Sequence, residues 1–145
     1  MPQQTIISTT SPAETKTLGR NFAQQVKRGG VAALIGTLGS GKTTFVQGLA
    51  SGLDLRQQMT SPTFIKMARY RIPRTTRLFY HHDLYRLRHR TELAELGLSA
   101  ILGRKDNVVV IEWPEKIRTL LPPRAKWIKF TYDRSHTNIR HIKIS

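Results

Sequence analysis

VAALIGTLGSGKTTFVQGLASG, residues 31–52, falls into three parts whose order decides the fold. Val31 to Ile35 is an apolar run without alternation, the pattern of a strand buried on both faces. Gly36 to Thr43 is a glycine-rich loop. From about Lys42 to Gly52, the apolar residues Phe45, Val46, Leu49 and Ala50 recur at helical spacing. The loop matches G-x-x-x-x-G-K-[ST] at every fixed position, and it lies between strand and helix, as that motif requires.

The spacing has a physical cause. Glycines let the backbone wrap tightly, so that successive N–H groups converge on an anion. The positive end of the helix beginning near Lys42 points to the same place. Gly36, Leu38, Gly39, Ser40, Gly41, Lys42, Thr43 and Thr44 are therefore the candidate nucleotide-binding residues. The Lys42 ammonium is expected to reach the β- and γ-phosphates, and the Thr43 hydroxyl to hold Mg²⁺. ATP or ADP with Mg²⁺ is the implied ligand set.

Working outward, Thr5–Ser8 reads as an edge strand. Ser11-Pro12-Ala13-Glu14 is a capping box with proline at the first helical position. Leu18, Phe22, Ala23 and Val26 extend an amphipathic helix over 12–28, ended by Gly29-Gly30. After a loop at 60–63, the pattern predicts strands over 64–72 and 77–81, a short helix over 91–98 and a second buried strand over 108–111. Residues 126–132 and 139–144 alternate and predict a terminal hairpin. The expectation is one α/β domain over 1–145. It has a P-loop NTPase-like three-layer architecture, a mixed, mostly parallel central sheet and a C-terminal antiparallel hairpin.

Composition narrows the function classes. The chain has 145 residues and no cysteine, which excludes disulfides, thiolate ligands and cysteine nucleophiles. No apolar run approaches the ~18 residues of a membrane span, and the first residues lack the pattern of a signal peptide. No membrane role and a cytoplasmic location are expected. The net charge is +15, and residues 61–90 hold eight basic residues against one acid, Asp83. Such a block attracts polyanions, so the basic 66–90 region is a candidate tRNA contact. A simple solvated surface explains the same charge.

A P-loop needs a second contact to Mg²⁺ and a group to orient the attacking water. Glu112 follows the apolar run Val108–Ile111, which places it at the carboxyl end of a buried strand, where α/β sheets bind ligands. Asp83 also ends a strand and is the candidate for holding the water or taking its proton; the alternative is a structural ion pair with Arg86. The two acids could exchange these roles. His81 and His82 read as packed or surface side chains. Thr63 is a candidate γ-phosphate sensor, against ordinary Ser-Pro turn chemistry. Trp113 is either core or a lid on the site. No arginine finger is identifiable by position.

Five stretches together resemble one family, TsaE (also called YjeE): LGSGKTTFVQGLA (38–50), SPTF (61–64), HHDLYRL (81–87), ELAELGL (92–98) and VIEWPE (110–115). The resemblance covers roughly residues 10–122. It implies a weak, partner-dependent ATPase of bacterial tRNA threonylcarbamoyladenosine synthesis, acting with TsaB and TsaD. It implies that the Mg²⁺ ligands fall on Thr43 and Glu112, the activity-bearing aspartate on Asp83, and the family's tryptophan on Trp113. Lys42, Asp83 and Thr63 become the candidate catalytic residues. The chain departs from the family at Thr37, where aspartate is usual, and in its charge. Two other classes fit a P-loop: a small-molecule or nucleoside kinase, and a nucleic-acid-binding module with ATP as a structural ligand.

Overall fold

The computed structural model describes residues 3–56, 59, 67–89 and 91–145. Strand β1 (Thr5–Thr9) leads into helix α1 (Pro12–Val26). The Ser11 hydroxyl accepts from the Glu14 amide at 3.2 Å, and the Glu14 carboxylate reaches back to the Thr10 amide at 2.7 Å. This reciprocal capping is why the helix starts at Pro12. Strand β2 (Gly30–Ile35) follows, then the loop, then helix α2 (Lys42–Gly52).

Strands β3 (Met67–Arg71) and β4 (Leu78–Asp83) form an antiparallel pair. Helices α3 (Thr91–Glu95) and α4 (Leu98–Gly103), strand β5 (Val108–Glu112), a 3₁₀ segment (Pro114–Leu120) and strands β6 (Lys126–Tyr132) and β7 (Arg140–Ile144) complete the chain.

The seven strands form one sheet in the order β1-β7-β6-β2-β5-β4-β3. The four central strands, β6, β2, β5 and β4, pair in parallel, and both edges are antiparallel. The mixed sheet and the antiparallel terminal hairpin match the expected fold class.

Successive residues of β2 and β5 feed two separate cores. Ala32, Leu34, Val108 and Val110 join Phe22, Phe45 and Leu49 of α1 and α2 on one face. Val31, Val109 and Ile111 join Leu98, Leu102 and Ile117 on the other. This division explains the unbroken apolar runs in the sequence. Helices α1 and α2 touch backbone to backbone. A Cβ on Gly48 would lie 1.9 Å from the Lys16 carbonyl oxygen, and one on Gly19 2.1 Å from that of Phe45.

The predicted helix over 91–98 is instead two short helices. Gly97 adopts φ 62°, which breaks the helix and caps the start of α4. None of the side chains in α3 is buried, whereas Leu98 and Leu102 of α4 are. Residues 64–66 of the predicted strand 64–72 lie outside the described residues. Among the described residues, no helix is long and apolar enough to cross a membrane.

Candidate functional site

Helix α2 begins without a side-chain cap. Its N-cap is Gly41, in a left-handed conformation at φ 104°, so the first-turn N–H groups find no side-chain acceptor. A β-carbon is disfavoured at that φ, and Gly39 at φ 78° is subject to the same restriction. The loop thus presents unsatisfied donors and a helix dipole to one spot, the arrangement that holds phosphate. Ser40 Oγ is buried and has no hydrogen-bond partner among the described residues.

Lys42 is buried with its Nζ 2.6 Å from the Gly36 carbonyl oxygen and 4.2 Å from the centre of the Trp113 ring. Burial pushes its ammonium below the usual lysine range, while Glu112, Asp83 and Glu115 pull it back up. A partly desolvated cation facing carboxylates is well placed to receive the negative charge of a polyphosphate.

The two acids come from adjacent parallel strands. Asp83 of β4 stands in register with Glu112 of β5, which is in register with Leu34 of β2, two residues before Gly36. Alternation puts both acids on the sheet face covered by α1 and α2, the face that carries Val110 and Phe79. Both are buried. Asp83 Oδ1 accepts from the Tyr85 amide at 2.9 Å, and the Leu84 amide donates to the Glu112 carbonyl at 3.1 Å, tying the two strand ends together. Lys116 Nζ donates to the carbonyls of Tyr85 and Leu87 at 2.7 and 2.9 Å, fixing the segment after Asp83 to the 3₁₀ segment.

His81 holds Glu112 from behind. Its Nε2 lies 2.7 Å from Glu112 Oε2 with both side chains buried, a geometry in which the Nε2–H donates to the carboxylate. Of the two histidines read as packed or surface groups, His82 is packed in the core, whereas His81 contacts the site. Only alternation along β4, which turns residues 81 and 83 to the same face, could have signalled this.

Trp113 sits at φ 60°, ψ 50°, a left-handed conformation that costs a non-glycine residue about 1–2 kcal/mol. Pro114 fixes the chain immediately after it. The indole packs against Tyr85 with ring centroids 4.9 Å apart and planes tilted by 43°, and it faces Lys42.

A cleft of about 470 Å³ gathers these groups. Leu38, Gly39, Gly41, Lys42, Thr43, Thr44, Asp83, Glu112 and Trp113 all line it. Its volume falls in the range of small-molecule sites. Thr63 lies outside the described residues. Of the basic block, Arg69, Arg71, Arg74, Arg86 and Arg88 are exposed, and Lys66 and Arg90 are also outside the described residues. Arg74 pairs with Asp54 at 2.6 Å on the surface.

The opposite wall was not legible in the sequence. Ser11, Pro12 and Thr15 come from the corner between β1 and α1, and Asn138 and Arg140 from the start of β7 and the turn before it.

The residues present fit magnesium nucleotide. Among the described residues, no three or more His, Cys, Asp or Glu side chains converge into a metal cage. Mg²⁺ on a nucleotide needs only one or two protein ligands beside phosphates and water. The Thr43 hydroxyl and the Glu112 carboxylate, both lining the cleft, could supply them.

A family model described as "Threonylcarbamoyl adenosine biosynthesis protein TsaE" matches residues 9–142. The tRNA threonylcarbamoyladenosine biosynthesis protein TsaE of Treponema pallidum is 37% identical over 113 residues, covering 77% of this chain and 80% of that one. The protein of the same name from Bacillus subtilis is 37% identical over 117 residues, covering 79% of this chain and 69% of that one. The crystal structure of Bacillus subtilis YdiB superposes with a TM-score of 0.73 at 31% identity, covering 99% of this chain and 86% of that one. Matched along almost its whole length by that model, and similar in both sequence and fold to these proteins, the chain belongs to the TsaE family.

Proposed function

We propose that this chain is the ATP-binding and ATP-hydrolysing subunit of the bacterial machinery that makes threonylcarbamoyladenosine at position 37 of tRNA. In this reading a single nucleotide-binding domain works in the cytoplasm with TsaB and TsaD, and its turnover resets their complex. Support comes from family membership and from one observation above the others. Asp83 and Glu112 stand side by side on neighbouring parallel strands, facing the uncapped start of α2 and Lys42.

The division of labour follows from that arrangement. Loop amides and the Lys42 ammonium neutralise charge on the β- and γ-phosphates. Thr43 and Glu112 hold Mg²⁺, with His81 orienting the Glu112 carboxylate. An Mg²⁺ ion held there would supply Lewis-acid stabilisation of the phosphate charge. Asp83 positions the attacking water or accepts its proton, and Thr63 senses the γ-phosphate. Trp113 and Tyr85 close one side of the cleft and exclude solvent. The chain's own turnover is slow, and ordering by TsaB and TsaD accelerates it.

The exposed arginines Arg69 and Arg71 on edge strand β3 support a finer reading, direct contact with tRNA phosphates. Affinity for tRNA then falls steeply with salt.

The deciding experiment measures ATP hydrolysis with and without TsaB–TsaD and tRNA, for wild type, Asp83→Ala and Glu112→Ala. We expect partners to raise wild-type turnover at least tenfold, and each substitution to remove about 10²-fold or more of it. Turnover indifferent to the partners would count against the modification-complex reading. Phosphate passed to a small acceptor instead of water would favour a kinase.

A further inference from the structure

Thr15 and Phe130 pack against the glycines of the loop, but Arg140 comes from near the far edge of the sheet and donates a hydrogen bond to the loop's own backbone. It opens β7, where it is in register with Tyr132 of β6 and Thr9 of β1, so it belongs to the antiparallel half of the sheet. Its Nη2 donates to the Gly39 carbonyl at 3.2 Å. Its Nη1 donates to the Thr137 carbonyl, and the guanidinium lies 5.7 Å from the centre of the Tyr132 ring. The stem runs beside Gly41: a Cβ there would lie 3.8 and 3.9 Å from Arg140 Cγ and Cδ. The side chain lines the nucleotide cleft and is half-buried.

We infer that Arg140 is a positioning residue for the polyphosphate of the bound nucleotide. It acts through Gly39, and the inference rests on the nucleotide-binding reading of the cleft.

A phosphate loop works by turning its N–H groups inward, which turns carbonyls such as that of Gly39 outward. An outward carbonyl that is satisfied by a fixed cation keeps its peptide plane from flipping. The adjoining N–H of Ser40 donates to the Thr37 carbonyl at 3.2 Å, so holding this peptide plane from outside also keeps the 37–40 turn of the loop in shape around the phosphate position. The planar fork lets one guanidinium bond Gly39 through Nη2 and Thr137 through Nη1, two separately placed donors that a single lysine Nζ does not have. The permanent charge of arginine also adds to the field at the rim of the cleft. Because the contact spans 101 residues, the terminal hairpin becomes part of the phosphate site and not merely an edge of the sheet.

The test is calorimetric titration of magnesium-supplied wild type, Arg140→Gln and Arg140→Lys with ADP and with AMP. The readout is the ratio of the two affinities, which isolates recognition of the second phosphate. We expect this ratio to fall about tenfold in Arg140→Gln, the loss of one charge-assisted hydrogen bond. Arg140→Lys should lose about threefold. A ratio within twofold of wild type in Arg140→Gln would overturn the inference, whatever the melting temperature does. A merely structural arginine would lower stability, or both affinities together, without changing the ratio. Should Arg140→Gln fail to fold, Arg140→Lys is judged by the same ratio, and an unchanged value overturns the inference. Wild type binding neither nucleotide would instead sink the nucleotide reading itself.

Discussion

His82 makes the stability of this protein depend on pH in a way that one substitution isolates. The side chain is 0% exposed and stacks on Tyr80 at 6.1 Å. Neither ring nitrogen has a hydrogen-bond partner among the described residues. Burial, reinforced by the neighbouring His81, lowers its pKa from 6.5 to about 4. Above pH 6.5 the imidazole is neutral in both folded and unfolded chains, and nothing is lost. Between pH 6.5 and about 4 the unfolded chain takes up a proton that the folded chain refuses, so stability falls as pH falls. Below about pH 4 both states are protonated and the loss levels off. A gap of roughly 2.5 units at about 1.4 kcal/mol each gives a total of about 3.5 kcal/mol, of which about 2 kcal/mol has been lost by pH 5. The assay is urea unfolding of wild type and His82→Leu at pH 7.5, 6 and 5. Subtracting one protein from the other cancels the four histidines and all the carboxylates they share. The difference should move by about 2 kcal/mol in favour of His82→Leu between pH 7.5 and 5. A difference constant to within about 0.5 kcal/mol would show that the imidazole is solvated or bonded in the folded state, and the reasoning would fail.

Gly48→Ala places a methyl where the Lys16 carbonyl oxygen already lies 1.9 Å away, so α1 and α2 must separate. Overpacking of about 1–3 kcal/mol outweighs the roughly 1 kcal/mol that alanine contributes in a helix, and the urea midpoint should fall. An unchanged midpoint would mean that the two helices do not cross this closely. For the tRNA contact, replacing Arg69 and Arg71 by glutamine should lower tRNA affinity across all sequences. It should also flatten the slope of log affinity against log salt by about 1–2. A slope identical to wild type places the contact elsewhere or removes it.

The parts of the site that could be read from the sequence are those where chemistry and local structure coincide. The loop joins the strand before it to the helix after it, and Glu112 directly follows three buried valines and an isoleucine, Val108 to Ile111. Asp83 likewise ends the buried run of β4. Each is fixed by its immediate neighbours, so a strand-end rule finds it. The helix over 91–98 failed for a local reason that composition hides: Gly97 could be tolerated in a continuous helix, but here it takes φ 62° and starts a new one. Ser11, Thr15 and Arg140 belong to a different class. Their place depends on strand order, and nothing in the alternation of residues 140–144 says that β7 inserts between β1 and β6. That insertion carries the β1–α1 corner and the start of β7 to the same cleft as a loop built on β2. The parallel centre of the sheet therefore supplies the groups that face the phosphates, and the antiparallel edge supplies the wall that holds the loop in shape. A motif search along the chain detects the first and passes over the second. Among relatives that keep the loop motif intact, changes along β7 are then the place to look for altered nucleotide affinity.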